Sequence, residues 1–386
     1  MRVYLLAGEP SGDRLGGALM AGLKELMPKV AFRGVGGPSM EAQGLKSLFP
    51  MDDLSVMGIA EVLPRYPKLQ RRLNEAAAHV LSSKPDVLIT IDSPDFSLRL
   101  AAKVKEASDI RCVHYVAPSV WAWRSGRAEK MAKSIDQVLA LLPFEPPYME
   151  AAGMRCDFVG HPIVTEPLAT QDEAWAFRKG KGFGEAPLIM VLPGSRRAEV
   201  GRLAPIFGEA LRATIAKIPN ARVVVPAAAP VASAVIDAVA NWPGAPVVLD
   251  PRDDPQALRA KRAAFAAADA AIAASGTVSL ELAANGTPMV IAYDMNWFSW
   301  QIMSRMVKID TVTLVNLVTG QNSIPEFLGP ACTPAKISET LVALMQDETK
   351  QWVQKAAMTE TMKRLGAGGA DPGLRAAEAV LDGLGR

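Results

Sequence analysis

The sequence has little cysteine and almost no net charge. Its three cysteines, Cys112, Cys156 and Cys332, lie far apart and form no C-x-x-C pair, so we expect no disulfide framework and a reducing, cytoplasmic environment. The 42 basic residues nearly balance the 40 acidic ones, which gives a formal net charge of +2. Because a general basic field would need a larger excess of cations, no nucleic-acid partner is predicted.

Long hydrophobic runs are also missing. Residues 1–7 are apolar over too short a stretch for the core of a signal peptide. The alanine-rich stretch 263–274 is interrupted by Asp269 and is shorter than the roughly 20 apolar residues that a spanning helix needs. Any contact with a membrane is therefore expected to be peripheral.

Motifs for common cofactors and metals are absent as well. The first strand is not followed by G-x-G-x-x-G, and Gly34-Val35-Gly36-Gly37 does not supply it, so neither nicotinamide nor flavin binding is expected. The sequence contains no Asp-x-Asp pair, and His79, His114 and His161 do not have the spacing of a ligand cluster. We predict no cofactor and no metal, and expect arginine and helix N-termini to neutralise an anionic leaving group.

What the sequence does contain is an alternation of short apolar runs with longer helical patterns, which is typical of a parallel sheet covered by helices. A chain of 386 residues with 49% hydrophobic content can build two cores. Strands are predicted at residues 3–7, 31–35, 87–92, 112–116, 137–141, 157–159, 188–192, 221–226, 247–249, 270–273 and 289–293.

This pattern predicts an α/β fold of two doubly wound, Rossmann-like domains that face a cleft. We place the first domain at residues 1–165 and the second at residues 166–348. Helices over residues 349–386 can return to the first domain.

The turn Gly194-Ser195-Arg196 follows a predicted strand and begins a helix, with Glu199 three residues later. Free N–H groups and a partial positive charge at the helix start, with Ser195 as cap and Arg196 as a forked cation, suit a diphosphate. The alternative is an ordinary capped helix with exposed arginines.

A second turn, Ser275-Gly276-Thr277, again joins a predicted strand to a helix. Glu281 lies four residues after Thr277 and so shares its helix face. Backbone amides at this turn can bind phosphate oxygens, and the Glu281 carboxylate can accept hydrogen bonds from ribose hydroxyls. Together the two turns predict a nucleotide site, whereas the alternative leaves Glu281 pointing to solvent.

Two carboxylates, Asp92 and Asp95, follow the strand predicted at residues 87–92. Open α/β sheets bind ligands at the carboxyl ends of their strands, so either carboxylate can serve as a general base for an acceptor hydroxyl. The alternative is that Ser93 and Asp95 are helix N-caps. We favour the base for Asp92 and the cap for Asp95.

An ordered series of motifs resembles the lipid-A-disaccharide synthase family, and it runs from residue 2 to about residue 330. The motifs are Gly8-Glu9-Pro10-Ser11-Gly12-Asp13, Val56-Met57-Gly58, Ile91-Asp92-Ser93-Pro94-Asp95-Phe96, the run from His114 through Pro-Ser-Val-Trp-Ala-Trp to Arg124, Leu142-Pro143-Phe144-Glu145, Val159-Gly160-His161-Pro162, Leu192-Pro193-Gly194-Ser195-Arg196 and Ser275-Gly276-Thr277.

The resemblance implies an inverting transferase of the GT-B type. Its donor would be UDP-2,3-diacylglucosamine, its acceptor 2,3-diacylglucosamine 1-phosphate, and its product a β-1′,6-linked disaccharide. It also implies peripheral association with the anionic inner face of the inner membrane. A homodimer is a further expectation.

Residue by residue, the resemblance carries the family's essential aspartate onto Asp92, its diphosphate arginine onto Arg196, its nucleotide-site glutamate onto Glu281 and a functional asparagine onto Asn316. Glu199 completes the pattern Gly-Ser-Arg-x-x-Glu. The other site candidates lie within the quoted motifs of the first half and are Glu9, Ser11, Asp13, Met57, Asp95, His114, Ser119, Trp121, Trp123 and Arg124.

Four questions stay open at this point. Another UDP-sugar enzyme, such as an N-acetylglucosamine 2-epimerase, would share the nucleotide pocket, and a non-catalytic nucleotide-sugar-binding protein would leave Asp92 without a role. The tryptophan run 119–123 is either core or a surface for an acylated sugar phosphate. Residues 56–73 form either a basic interfacial helix or a core-packed helix pair broken at Pro64 and Pro67.

Overall fold

A computed structural model describes residues 1–54, 59–123, 126–252, 254, 256–296, 300–301 and 309–386, without the side chains of residues 59–64 and 122–123. The described chain divides into two compact units. The first combines Met1–Thr165 with Leu365–Arg386, and the second is Glu166–Arg364. No helix among the described residues is long and apolar enough to cross a bilayer.

The first unit is built on a parallel sheet, in which the described residues form six strands in the order β2-β1-β3-β4-β5-β6. Its strands are β1 (Arg2–Ala7), β2 (Ala31–Val35), β3 (Val87–Ile91), β4 (Arg111–Tyr115), β5 (Gln137–Ala140) and β6 (Arg155–Phe158). Every residue of β3 is buried, which explains why this strand is an unbroken apolar run in the sequence.

Helices connect these strands and cover the sheet. They are α1 (Pro10–Leu26), α2 (Pro38–Ala42), α3 (Ile59–Ser83), α4 (Pro94–Ala107), α5 (Val120–Trp123), α6 (Gly126–Met131) and α7 (Pro146–Glu150). The alternative of a helix pair broken at Pro64 and Pro67 is not found, because α3 is continuous from Ile59 to Ser83.

The second unit repeats the design, with six strands of the described chain in the order β12-β11-β10-β7-β8-β9. Its strands are β7 (Leu188–Leu192), β8 (Arg222–Pro226), β9 (Val247–Leu249), β10 (Ala270–Ala274), β11 (Met289–Tyr293) and β12 (Glu326–Leu328). Its helices are α8 (Gln171–Gly180), α9 (Arg197–Lys217), α10 (Ala232–Val239), α11 (Ala257–Ala267), α12 (Val278–Ala284), α13 (Leu314–Thr319), α14 (Pro334–Gln346) and α15 (Glu348–Arg364).

The last helix, α16 (Pro372–Gly383), belongs to the first unit and packs on α1. Glycines allow the close approach, because a Cβ at Gly22 would lie 2.7 Å from the carbonyl oxygen of Gly373. An ion pair of 2.6 Å between Arg155 and Asp382 also joins β6 to this helix.

Both sheets have a switch point where the chain changes its direction of growth. In the first sheet this point lies between β1 and β3, and in the second between β7 and β10. Ligands of doubly wound folds bind at the carboxyl ends of the strands that flank such a point. The candidate base Asp92 directly follows β3, and the two predicted diphosphate turns follow β7 and β10.

Candidate active site

The turn after β3 has a backbone that side chains seldom adopt. Asp92 and Ser93 have φ values of 51° and 44°, a left-handed conformation that costs roughly 1–3 kcal/mol per non-glycine residue. The strand predicted to end at Asp92 therefore ends at Ile91. Such strain is concentrated at functional sites, which supports a role for this turn beyond connecting β3 to α4.

Hydrogen bonds fix the Asp92 turn. Its amide donates to the carbonyl of Tyr115 (3.0 Å), and the Ser97 hydroxyl donates to the Asp92 carbonyl (2.7 Å). Its side-chain Oδ1 accepts from the Ser93 amide (2.9 Å). Among the described residues Oδ2 has no partner, so one carboxylate oxygen remains for a substrate hydroxyl.

Of the two carboxylates after β3, Asp95 has the surroundings of a surface residue. Its side chain is 99% exposed and lies 3.5 Å from Arg127. It stands in the first turn of α4, where a negative charge is favourable beside the helix N-terminus. The expectation that Asp95 is the cap of α4 is wrong, because Ser93 occupies the N-cap position, although the Ser93 hydroxyl makes no capping bond.

The candidates of the first motif separate in the structure. Glu9 is the N-cap residue of α1 and Ser11 lies exposed in its first turn. Asp13 is buried, and its carboxylate accepts from the amides of Gly37 (2.8 Å), Ser39 (2.8 Å) and Met40 (3.1 Å). Asp13 thus caps α2 and joins it to α1.

His114 lies inside the sheet on β4. It is 1% exposed, and its Nδ1 is 2.8 Å from the Thr90 hydroxyl on β3. Burial, with a smaller effect of Arg127, lowers the pKa of His114 to about 4, so the ring is neutral at pH 7.

After β4 comes a second strained turn, in which Val116 has a φ of 86°, an outlier for a β-branched residue. Ser119 is exposed, and the partly buried Trp121 donates its indole N–H to Glu145 (3.3 Å). Arg124 and Met57 lie outside the described residues, as does the side chain of Trp123.

In the second unit, Glu199 closes the turn after β7. Its Oε2 accepts from the amides of Ser195 (3.1 Å) and Arg196 (3.3 Å), and its Oε1 accepts from the Arg196 guanidinium (3.0 Å). The expectation that Ser195 caps α9 is wrong, because Arg196 is the N-cap residue and Glu199 supplies the capping carboxylate. Gly194 has a φ of 115°, and a Cβ there would lie 2.7 Å from Glu199, so this turn requires glycine.

The turn after β10 leaves room for a ligand. Gly276 has a φ of 152°, and a Cβ there would meet no atom within 4 Å. Thr277 is the N-cap residue of α12 and is exposed, while Ser275 is partly buried. Glu281 forms an ion pair of 2.5 Å with Lys261 of α11.

Asn316 is buried on α13 and holds the chain leading to β12. It exchanges two hydrogen bonds of 2.9 Å with the backbone of Ile324. Its amide also lies 3.4 Å from Glu326, which accepts from the amides of Val312 and Thr313.

Sequence reasoning missed two residues that bind candidate residues, because Glu145 accepts from Trp121 and Lys261 donates to Glu281. Glu145 was present in a quoted motif, but nothing in the sequence showed that its carboxylate is buried. Lys261 lies twenty residues from its partner on another helix. Within the described residues, no group of three or more His, Cys, Asp or Glu side chains forms a metal site.

Comparison with known proteins gives a consistent picture. A family model described as lipid-A-disaccharide synthetase matches residues 3–371. The chain is 65% identical to the lipid-A-disaccharide synthase of Ruegeria pomeroyi over 386 residues, covering 100% of this chain and 96% of that protein. It is 46% identical to that of Rhodospirillum centenum over 383 residues, covering 98% and 94%.

Solved structures share the fold at low identity. The UDP-GlcNAc 2-epimerase of Neisseria meningitidis, bound to UDP-GlcNAc, has a TM-score of 0.64 at 12% identity and covers 100% of this chain and 99% of its own. MurG of Acinetobacter baumannii has a TM-score of 0.54 at 14% identity, covering 100% and 99%. These likenesses confirm the predicted GT-B fold class with its two doubly wound sheets.

Proposed function

Because this chain belongs to the lipid-A-disaccharide synthase family, we propose that it joins two acylated glucosamine units through Asp92, Arg196 and Glu281. It is a glycosyltransferase of lipid A biosynthesis. The donor is UDP-2,3-diacylglucosamine, and the acceptor is 2,3-diacylglucosamine 1-phosphate.

In the proposed reaction the 6-hydroxyl oxygen of the acceptor forms a bond to the anomeric carbon of the donor. The bond from that carbon to the diphosphate breaks, and UDP leaves with the electron pair. Asp92 takes the hydroxyl proton, which makes the oxygen a better nucleophile as the new bond forms. Inversion gives the β-1′,6-linked disaccharide 1-phosphate.

The observation that carries the role of Asp92 is its turn at the switch point of the first sheet. Two consecutive left-handed residues hold the carboxylate there, and one oxygen has no partner among the described residues. A backbone that costs free energy persists where the surrounding structure enforces it.

For the donor, support comes from the two turns at the switch point of the second sheet. Each turn follows a buried strand and leads into a helix. The amides and the partial positive charge at a helix start favour binding of phosphate oxygens. Arg196 is 67% exposed on its side chain, so its guanidinium is accessible to a diphosphate. Glu281 lies one turn into α12, and a carboxylate oxygen there can accept hydrogen bonds from ribose hydroxyls.

The proposal is tested by measuring UDP release and product mass with the acylated donor, with and without the acceptor. A transferase releases UDP in proportion to disaccharide formed and only when acceptor is present. An epimerase instead interconverts UDP-N-acetylglucosamine without acceptor, and a binding protein releases no UDP; either result contradicts the proposal.

We further propose that α3 mediates peripheral contact with an anionic membrane. Arg65, Tyr66 and Arg71 are exposed on this helix, and among the described residues neither arginine forms an ion pair. Lys68 and Arg72 contribute less to the positive charge of the helix surface, because both form ion pairs with Asp53 (2.5 and 2.7 Å), which offsets part of their charge.

The membrane contact is measured by flotation with vesicles of neutral and anionic lipid. Each exposed cation should attract the protein to anionic vesicles by about 1 kcal/mol. The double substitution Arg65→Glu with Arg71→Glu should turn this attraction into repulsion and lower flotation with anionic vesicles. The matched control is Arg14→Glu with Arg99→Glu on α1 and α4. Equal flotation of the α3 variant and the unmodified protein contradicts the proposal.

A homodimer also remains a prediction, which sedimentation velocity at two protein concentrations measures.

A further inference from the structure

Glu145 is a buried carboxylate that the proposed chemistry does not use. It follows β5 at the start of α7 and is 4% exposed. Its Oε2 accepts from the Leu142 amide (3.0 Å), and its Oε1 accepts from the indole N–H of Trp121 (3.3 Å). A single carboxylate therefore joins the segment after β4 to the turn after β5.

Trp121 has a second contact with the same segment. Its ring meets that of Phe144 edge to face, with centroids 5.2 Å apart and planes at 89°, a favourable geometry for aromatic pairs. Two consecutive residues, Phe144 and Glu145, thus fix the position of one indole. Trp121 is only partly buried among the described residues, so these two contacts do not enclose it completely.

These segments lie at the same sheet edge as Asp92. The strands β3, β4 and β5 are neighbours and end at the same edge, with Ile91, the last residue of β3, beside Tyr115, the last residue of β4, and Tyr115 beside Leu139, one residue before the end of β5. The hydrogen bond from the Val116 amide to Leu139 (3.0 Å) continues this ladder past β4. Trp121 therefore belongs to the edge where the acceptor hydroxyl must reach its base.

We propose that Glu145 is a positioning residue for the acceptor, because it holds Trp121 as an apolar wall against the acylated sugar phosphate. The proposal rests on the acceptor site proposed above. An indole suits such a ligand, because it offers a large apolar face at little cost in conformational entropy. Glu145 itself does not touch the reacting atoms.

The protonation of Glu145 gives this role a signature. Burial raises the pKa of Glu145 to about 7, against the opposing hydrogen bonds from Leu142, Trp121 and Leu141. An ionised carboxylate accepts a stronger hydrogen bond from an indole N–H than a protonated one does. Trp121 should therefore be held most firmly above pH 7 and less firmly below it.

Few other titratable groups bear on Glu145. The Cys156 thiol of β6 is one, and its pKa is raised by burial, by Glu145 and by Asp157 and Glu150, so it is uncharged near pH 7. Among the described residues, no charged side chain contributes to the shift of Glu145.

The test is a pH series of acceptor KM and kcat for the full chain, comparing E145Q with E150Q. Glu150 is exposed at the end of α7 and controls for the loss of one negative charge. The two N–H donors meet different oxygens of Glu145, so a glutamine places its NH2 group, itself a donor, opposite one of them and leaves that N–H unpaired. We expect E145Q to raise the acceptor KM about tenfold at pH 8, the effect of one hydrogen bond to a charged group, without a change in donor KM.

The pH dependence separates positioning from general damage. For the unmodified protein, acceptor KM should rise as pH falls through 7, whereas E145Q should have the high value throughout. Titration of the acceptor phosphate affects all variants alike and cancels in the comparison. E150Q should match the unmodified protein.

A double-mutant cycle with W121F shows whether Glu145 acts through Trp121, since phenylalanine keeps an aromatic ring but has no N–H. Non-additive effects on acceptor KM support the proposal, and additive effects overturn it. If E145Q does not fold, W121F decides alone, because it should remove the part of the pH dependence of acceptor KM that remains when the acceptor phosphate, which affects all variants alike, is discounted. If the unmodified protein forms disaccharide and both variants have the same pH profile of acceptor KM as the unmodified protein, this inference alone is overturned. If the unmodified protein forms no disaccharide, the proposed function is overturned.

Discussion

The Nζ atom of Lys261 lies 2.5 Å from Oε2 of Glu281, and this ion pair joins α11 to α12 beside the Gly276 turn. The same ammonium stands 5.3 Å from the centre of the Phe265 ring. Among the described residues, Oε1 of Glu281 accepts no hydrogen bond. The lysine thus fixes one oxygen of the carboxylate, and the other is the oxygen that we propose binds the hydroxyls of a ribose.

From this geometry we expect the second unit to distinguish ribose from deoxyribose. Removing one ribose hydroxyl should weaken UDP binding about tenfold, because a carboxylate loses a hydrogen bond. In Glu281→Ala the two nucleotides should bind equally. Isothermal titration calorimetry with UDP and 2′-deoxy-UDP measures the ratio, and Glu209→Ala on α9 is the control. A discrimination that survives in Glu281→Ala means that the ribose is bound elsewhere.

Arg196 should contribute to binding of the diphosphate. Arg196→Ala removes a forked cation beside the amides at the start of α9, and we expect UDP affinity to fall about 10- to 100-fold. Arg197→Ala is the matched control, since that side chain is adjacent and also exposed. Equal losses in both variants indicate a general field effect, and an unchanged affinity in Arg196→Ala places the diphosphate at another site.

The sequence predicted most of the architecture because parallel strands buried on both faces are continuous apolar runs. Strand β12 (Glu326–Leu328) was missed, since it has three residues and lies at the edge of its sheet. The turns that bear the candidate residues were found through glycine and serine at strand ends. Their strain was not, because a β-branched residue such as Val116 rarely adopts a left-handed backbone, and aspartate, although enriched there, adopts it in only a small fraction of cases.

Long-range partners explain the remaining gaps. Glu145 binds Trp121, 24 residues earlier, and no local pattern encodes such a contact. Asp13 was predicted as a site residue, but its carboxylate is buried and caps α2, whose amides lie 24 to 27 residues later in the sequence. Burial and partners of polar side chains depend on tertiary packing, which composition and periodicity do not specify.

Glu145 should also make stability depend on pH. Its pKa is raised from 4.5 to about 7 by burial, so the folded state binds a proton more tightly than the unfolded chain. The resulting gain in the free energy of unfolding is fully present below pH 4.5. It is lost as pH rises to 7, and the loss is about 3 kcal/mol at most. Thermal unfolding of E145Q and E150Q between pH 5 and 7.5 measures it. As pH rises, the thermal midpoint of E145Q should increase relative to that of the unmodified protein, whereas the midpoint of E150Q should stay level with it. If the midpoints of E145Q and the unmodified protein change with pH in parallel, the raised pKa of Glu145 is contradicted.

Asp92 is expected to be the general base, and Asp92→Asn is the substitution that isolates this role. Asparagine tolerates the left-handed conformation that Asp92 adopts at a φ of 51°, and it keeps an acceptor oxygen for the Ser93 amide. The base alone is removed. A positioned base contributes about 10²–10⁴-fold to rate, so kcat should fall by that factor, with UDP affinity and thermal midpoint unchanged.

Asp95→Asn is the matched control for Asp92→Asn, since it makes the same chemical change three residues away. Its fully exposed side chain and its 3.5 Å contact with Arg127 predict a small loss of stability, because exposed ion pairs contribute little, and nearly normal turnover. If Asp95→Asn loses turnover and Asp92→Asn keeps it, the base is Asp95. If both variants stay active, Glu9 becomes the next candidate, ahead of His114, because a buried imidazole with a pKa of about 4 is a weak base for an alcohol at neutral pH.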